Sequence, residues 1–292
     1  MGLRLPAGPK GLVVAIQFWA GDQAKALRLA RLLAAIEPRP RGDVTMLLIC
    51  RKDTTRAEIA FPDAVEKLSK RFPVMVARSA RDGEGHPAGC NALAGGTLDH
   101  LAGLWRDGFA RSAVFLAEAD GCPLRADWLD RLLEEHERTI AAGKSVTGPY
   151  MGGRPHINGS MVLQVPWWID HPSVQVTPPE QAWDLYHRDA YLAAARPTKL
   201  IANIWGSRGW TAEQLGPMSR EVAWLTGTKD DSAFAWAAQS CTGWSRERSL
   251  HISYSKEADF EERKQTSAYL ANVQAMGQTD IDWLNEQERR AP

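Results

Sequence analysis

Glu118 and Asp120 close an apolar stretch, Ala113-Val114-Phe115-Leu116-Ala117-Glu118-Ala119-Asp120-Gly121-Cys122-Pro123-Leu124, and are the two residues of the chain best placed for chemistry. The run before them has the composition of a buried β-strand, so the carboxylates fall at its carboxyl end, where open α/β sheets keep their ligands. Residues two apart on an extended chain point the same way. Both carboxylates can therefore reach one hard cation, and a cation held there can hold a diphosphate. Two acids ending an apolar strand repel one another unless a cation or donors lie between them, so the placement is costly without a purpose. Asp120 before Gly-Cys-Pro equally suits a turn, and the motif alone leaves that reading open. As a ligand pair, it points to a metal-dependent transferase acting on a nucleotide-linked donor.

The first half of the chain contains the elements needed to carry such a strand. Leu12 to Phe18 is a continuous apolar run, followed by Asp22 as a helix cap and by Leu27, Leu29, Leu32, Leu33 and Ile36 at helical spacing, with a stop at Pro38. Val44 to Cys50, Val74 to Ala77 and Ala113 to Ala117 are further buried-strand patterns, and Leu93, Thr97, Leu98, Leu101 and Trp105 mark a helix before the last of them. Asp127 can cap a helix with Trp128, Leu129, Leu132, Leu133, His136 and Ile140 on one face, closed by Gly143. Strands alternating with helices predict βαβ units and a largely parallel sheet. The second half is less regular. Thr147 to Pro155 reads as a loop by its glycines and prolines, Ser160 to Val165 as a strand, and Glu180 to Ala195 and Asp230 to Gln239 as helices separated by a Gly/Trp-rich stretch. No repeat or low-complexity tract is present.

Composition narrows the function. Lys+Arg and Asp+Glu are both 35, so no global field advertises nucleic acid or anionic lipid as a partner, and any polyanion site must be local. Cys50, Cys90, Cys122 and Cys241 lie far apart without a Cys-x-x-Cys pair, which fits reduced thiols used as small apolar residues in a cytoplasmic protein. No charged segment with a long apolar core opens the chain, and no membrane segment is expected. Most of the 12 tryptophans fall in the second half, where they can pack a core or stack on sugars and bases. Gly83-Glu84-Gly85-His86-Pro87-Ala88 matches a loose Gly-x-Gly-x-x-Ala but does not follow the first strand, which argues against a nicotinamide dehydrogenase. A zinc site from His86 and Cys90 has only two ligands at close spacing.

The order of strand, helix, strand with Asp53 just beyond it, Gly-rich segment with Asn91, then strand ending in Glu-x-Asp with a following Pro and a Trp-containing helix resembles the GT-A fold superfamily of nucleotide-diphospho-sugar glycosyltransferases. The likeness runs from Leu12 to Val165 in element order and is specific at Glu118 to Trp128. It implies an α/β, GT-A-like fold: a mixed, mainly parallel sheet flanked by helices, with a C-terminal acceptor lobe. Residues 1–147 would form the nucleotide-sugar-binding half with the acid-x-Asp motif. Residues 148–292 would form the acceptor-binding half and C-terminal lobe, packed on the same sheet as one globular unit. Here Glu stands where Asp is commoner, which loosens the assignment of which carboxylate touches the ion.

From the same resemblance, Asp120, Glu118 and His251 are the expected ligands of Mn²⁺ (or Mg²⁺), with Glu118 alternatively a ribose contact. Gln17, Asp53, Asn91 and Lys256 would meet the nucleotide-sugar donor, a UDP-sugar foremost. His156, Asn158 and Trp210 would line the acceptor pocket, and Asp230 or Asp231 would act as general base if the reaction inverts. Each has a plainer alternative: loop polarity for Asp53, a helix N-cap for Asn91, an Asn-Gly turn at Asn158, capping for Asp230 and Asp231, a core histidine for His251. The expected acceptor is a saccharide or small molecule. A hydroxylated DNA base is the minority expectation, served by a patch of Arg246, Arg248, Lys256, Arg263 and Lys264. Two rivals stand beside this reading. A sugar nucleotidyltransferase would carry a Gly-rich basic signature after the first strand, and Phe18 to Asp22 has none. A noncatalytic glycan- or nucleic-acid-binding module would bind without turnover and without metal.

Overall fold

The computed structural model describes residues 11–54, 62–109, 111–204, 208–228 and 230–243. The first half follows the sequence pattern closely: β1 (Leu12–Phe18), α1 (Gln23–Ile36), β2 (Val44–Cys50), α2 (Pro62–Ser69), β3 (Val74–Arg78), α3 (Ala88–Arg106), β4 (Ala113–Glu118), β5 (Cys122–Pro123) and α4 (Trp128–Ala141). Beyond it come β6 (Val146–Gly148), β7 (Tyr150–Met151), β8 (His156–Ile157), β9 (Val162–Gln164), α5 (Val165–Asp170), α6 (Trp183–Tyr186), α7 (Arg188–Ala194), β10 (Ala195–Pro197), β11 (Ile201–Asn203), α8 (Ala212–Met218), β12 (Trp224–Thr226) and α9 (Ser232–Thr242).

The main sheet has the order β10-β6-β9-β4-β1-β2-β3. β1, β2, β3 and β4 run parallel, β10 is parallel to β6, and β9 is antiparallel to both β4 and β6. This is the mixed, mainly parallel sheet expected from the sequence, with helices on both faces. β1 reads as an apolar run broken only by Gln17 because both of its faces are covered. Leu12, Val14, Ile16 and Phe18 join Leu29 and Leu33 of α1, Leu68 of α2, Leu129 and Leu132 of α4 and Ala237 of α9 in one core. Val13 and Ala15 face the other core, with Leu98 and Leu101 of α3, Trp167 and Trp168 of α5 and Tyr191 of α7. A smaller sheet, β11-β12-β5, lies beyond the acidic motif, with β5 antiparallel to β12.

The structure departs from the pattern mainly after residue 146. Thr147 and Gly148, expected in a loop, are buried in β6 within the main sheet, where Thr147 pairs with Val162 and Arg196. The expected helix from Glu180 to Ala195 is two short helices broken at His187, whose Nε2 meets the Val176 carbonyl at 3.0 Å, and Ala195 leaves the second to pair with Val146. The Gly/Trp-rich stretch supplies β11, α8 and β12. Strands of three residues are too short for a period-two signal to show. No helix among the described residues is long and apolar enough to cross a membrane.

Candidate functional site

Strand order reverses at β1: β2 and β3 extend to one side of it and β4 to the other, so the crevice beyond the carboxyl ends of β1 and β4 is the place where such sheets bind ligands. Gln17 of β1 and Glu118 of β4 are register partners at its floor. Gln17 is tethered to α3, its amide Nε2 donating to Thr97 Oγ1 at 2.8 Å and to the Leu93 carbonyl at 3.3 Å.

The acidic motif is held by β12. Thr226 Oγ1 donates to Glu118 Oε2 at 2.7 Å and itself accepts from Ser160 Oγ at 3.1 Å, and both hydroxyl residues are fully buried while Glu118 is exposed. Two residues on, Thr228 Oγ1 donates to the Asp120 carbonyl at 2.5 Å. The Asp120 side chain is half-buried, with Oδ1 inside the protein. β4 ends at Glu118, and Asp120 lies in the turn that Gly121 N closes on the Glu118 carbonyl at 3.0 Å, so the two acids are not alternate residues of one extended strand as expected: the turn left open by the sequence is what Asp120 occupies. Gly121 lies so close to the Trp224 indole that a Cβ there would be 2.8 Å from Nε1 and 2.9 Å from Cζ2.

Negative charge converges on this crevice. Cys90, exposed in the first turn of α3, has its thiol pushed up to about 11, first by desolvation and then by the carboxylates of Glu118, Asp184, Asp22 and Asp120. Asp22 pairs with Lys25 at 2.8 Å. Asp184 is held up from the ordinary carboxylate range by burial, which outweighs His156, 3.8 Å away, and the amides of Gly159 and Leu185, each 3.0 Å from its oxygens.

The remaining expected contacts have the following surroundings. Asp53 accepts both prongs of the Arg51 guanidinium, which holds its carboxyl low, and that guanidinium lies 5.5 Å from the exposed Trp19 ring. Asn91 is not at the N-cap of α3, a place occupied by Pro87; its Oδ1 accepts from Trp183 N at 3.1 Å and its Nδ2 donates to the Gln181 carbonyl at 2.8 Å, joining α3 to the start of α6. His156 Nδ1 lies 2.5 Å from the Arg154 carbonyl, and Asn158 Oδ1 accepts from Ser160 N at 3.2 Å, a local turn bond. Asp230 accepts from Gly209 N at 2.7 Å and from Ser232 N and Oγ; Asp231 is ion-paired with Arg28. Trp210 is half-buried against the core, its backbone N donating to Ser232 Oγ at 2.8 Å. His251 and Lys256, with the basic patch from Arg246 to Lys264, lie outside the described residues.

The structure thus brings Gln17, Glu118, Asp120 and Asp184 to one crevice and sets Asp230, Asp231 and Trp210 around the start of α9. Among the described residues, no three His, Cys, Asp or Glu side chains gather as a metal cage. Glu118 and Asp120 still suit a Mg²⁺ or Mn²⁺ ion that arrives with phosphate, because such ions take one or two protein carboxylates and complete their shell with phosphate oxygens and water. A diphosphate alone would be repelled by the carboxylates of Glu118 and Asp120. Sequence reasoning missed Thr226, Thr228, Asp184 and Arg28, and it read Cys90 as an apolar residue, whereas Cys90 is exposed. The available signal was Thr226-Gly-Thr228, two hydroxyl residues flanking a glycine that turns the chain with φ 77°.

No family model matches the chain, and no curated protein matches it. Among solved structures, it is similar to the bifunctional glycosyltransferase WbbM (10% identity, TM-score 0.48, 77% of this chain and 47% of that one). It is also similar to the galactosyltransferase LgtC in complex with donor and acceptor sugar analogues (11%, 0.45, 85% and 99%). A cytidylyltransferase from Leptospira borgpetersenii is a third (15%, 0.40, 64% and 76%). The chain therefore spans about half the length of WbbM. Likenesses this loose assign no chemistry to particular residues.

Proposed function

We propose that this protein is a metal-dependent glycosyltransferase of the cytoplasm that moves a sugar from a nucleoside diphosphate donor, a UDP-sugar foremost, to a hydroxyl of a saccharide or small molecule. The observation that carries the reading is the placement of Glu118 and Asp120 at the switch point of the sheet, with Gln17 beside them and negative charge gathered around Cys90. Asp120 and Glu118 would hold the ion, with His251 as the proposed further ligand. When bound, the ion would stabilise the negative charge that builds on the departing diphosphate.

The chain's own groups supply the rest. Gln17, fixed by Thr97, presents its amide beside Glu118, where the ribose or base would lie. Asn91 orders the wall formed by residues 178–183. Asp53 and Lys256 remain proposed donor contacts, and His156, Asn158 and Trp210 proposed acceptor contacts. Asp230 or Asp231 would take the acceptor proton in an inverting reaction. Because each already accepts hydrogen bonds, the proton would go to the carboxylate oxygen that the acceptor reaches. A hydroxylated DNA base stays a minority acceptor, since the basic patch proposed to serve it lies outside the described residues.

Thermal unfolding with UDP, GDP, CDP and ADP, with and without Mn²⁺, on wild type and Asp120→Asn tests the reading. Ligand at a hundredfold over its Kd adds about 2.7 kcal/mol. A metal-dependent shift with one nucleotide, lost in the variant, is expected; no shift with any diphosphate would refute it.

A further inference from the structure

We infer that Thr226 is a positioning residue for the acidic motif, set in place by Ser160. The inference rests on the proposed metal-dependent reading and extends it to residues outside the acid-x-Asp motif. A hydroxyl has one proton to donate. Ser160 Oγ donates to Thr226 Oγ1 at 3.1 Å, which leaves the single Thr226 proton directed at Glu118 Oε2, 2.7 Å away. Both hydroxyl residues are fully buried, so water reaches neither hydroxyl. The exposed Glu118 carboxylate thus hangs on a relay whose inner members cannot rotate freely.

The relay has a second fastening. Gly227, with φ 77°, turns the chain out of β12, and Thr228 beyond it donates to the Asp120 carbonyl, so the residues on either side of that glycine grip the side chain of one acid and the backbone of the other. Ser160 in turn follows the His156–Gly159 segment, whose Gly159 amide bonds Asp184. The spacing between the two carboxylates is therefore fixed by β12 and not by β4 alone. Groups that orient a metal ligand in this way typically change metal affinity 10- to 100-fold when removed.

The test is Mn²⁺ titration by electron paramagnetic resonance in the presence of UDP, on wild type, Thr226→Val, Thr226→Ser, Ser160→Ala and the Ser160→Ala/Thr226→Val double variant. Thr226→Val should weaken Mn²⁺ binding about 10-fold or more. Thr226→Ser, which keeps the hydroxyl, should recover most of it. The double variant should bind no worse than Thr226→Val alone, because the two act through one bond. Unchanged affinity in Thr226→Val would overturn the assignment, as would equal loss in Thr226→Ser and Thr226→Val. A crystal structure of metal-free Thr226→Val gives a readout independent of the ion: the Glu118 carboxylate should leave its wild-type position. If wild type binds no Mn²⁺ but Glu118 moves in the variant, the metal-dependent function fails while the positioning stands. If Glu118 does not move, the positioning fails.

Discussion

Arg28 and Asp231 are ion-paired across the interface of α1 and α9, and the buried Arg28 guanidinium also lies 4.1 Å from the centre of the Phe234 ring. A guanidinium that is 4% exposed needs its counter-charge, because an unpaired buried cation is far costlier than a missing surface pair. Asp231→Asn should cost about 3 kcal/mol in urea unfolding. A cost near zero would show that Arg28 finds water instead, and would leave Asp231 available for proton transfer alone.

Asp120→Asn should behave in the opposite way. It should lower turnover by a factor of about 10² or more while moving the melting temperature little, since the substitution removes charge stabilisation of the reaction and little packing. Normal turnover in that variant would remove the proposed chemistry.

His136 gives the fold a dependence on pH that is separate from the site. Thr147 Oγ1 gives its proton to Thr139 at 2.8 Å, so it accepts from His136 Nδ1–H at 3.0 Å, and the opposite ring nitrogen is buried without a hydrogen-bond partner among the described residues. Burial lowers this histidine from 6.5 to about 4. The unfolded chain therefore binds the proton more tightly, and stability is full above pH 6.5 and falls as pH drops toward 4, by roughly 3 kcal/mol across the interval. Chemical denaturation between pH 4 and 7 should show this slope, and His136→Gln should flatten it.

Cys90 reports on the desolvation and the charge of the crevice. With its thiol near 11, labelling by iodoacetamide should still climb about tenfold per pH unit between 8 and 10, where an ordinary exposed thiol levels off near 9. Mass spectrometry of the modified peptide, with Cys90→Ser as the control, reads the profile. A plateau by pH 9 would mean that neither desolvation nor the surrounding carboxylates act on it.

The sheet and its helices were legible because β1, β2 and β4 are covered on both faces and so appear as nearly continuous apolar runs, broken in β1 by Gln17 and in β2 by Thr45, while α1 and α4 show one apolar stripe each. The acidic motif was legible because Glu118 and Asp120 interrupt such a run. What surrounds them was hidden. Thr226 and Ser160 lie 108 and 42 positions from Glu118, and hydroxyl residues in short strands look like loop polarity. Asp184, itself in α6, is distinguished only by burial against residues 156–159, which no local pattern records. Thr147 shows the reverse error: flanking glycine and proline mark a loop, yet pairing with β9 and β10 draws the residue into the sheet.

Gly121 carries no functional group, yet the distance between the acidic turn and the Trp224 ring is set by the methyl it lacks. Gly121→Ala would wedge β5 away from β12 and lift the Thr226 hydroxyl from Glu118 without altering one polar atom. The separation of two carboxylates proposed to share a cation would thus be gauged in this chain by van der Waals contact with an indole, a mechanical setting placed beneath an electrostatic one.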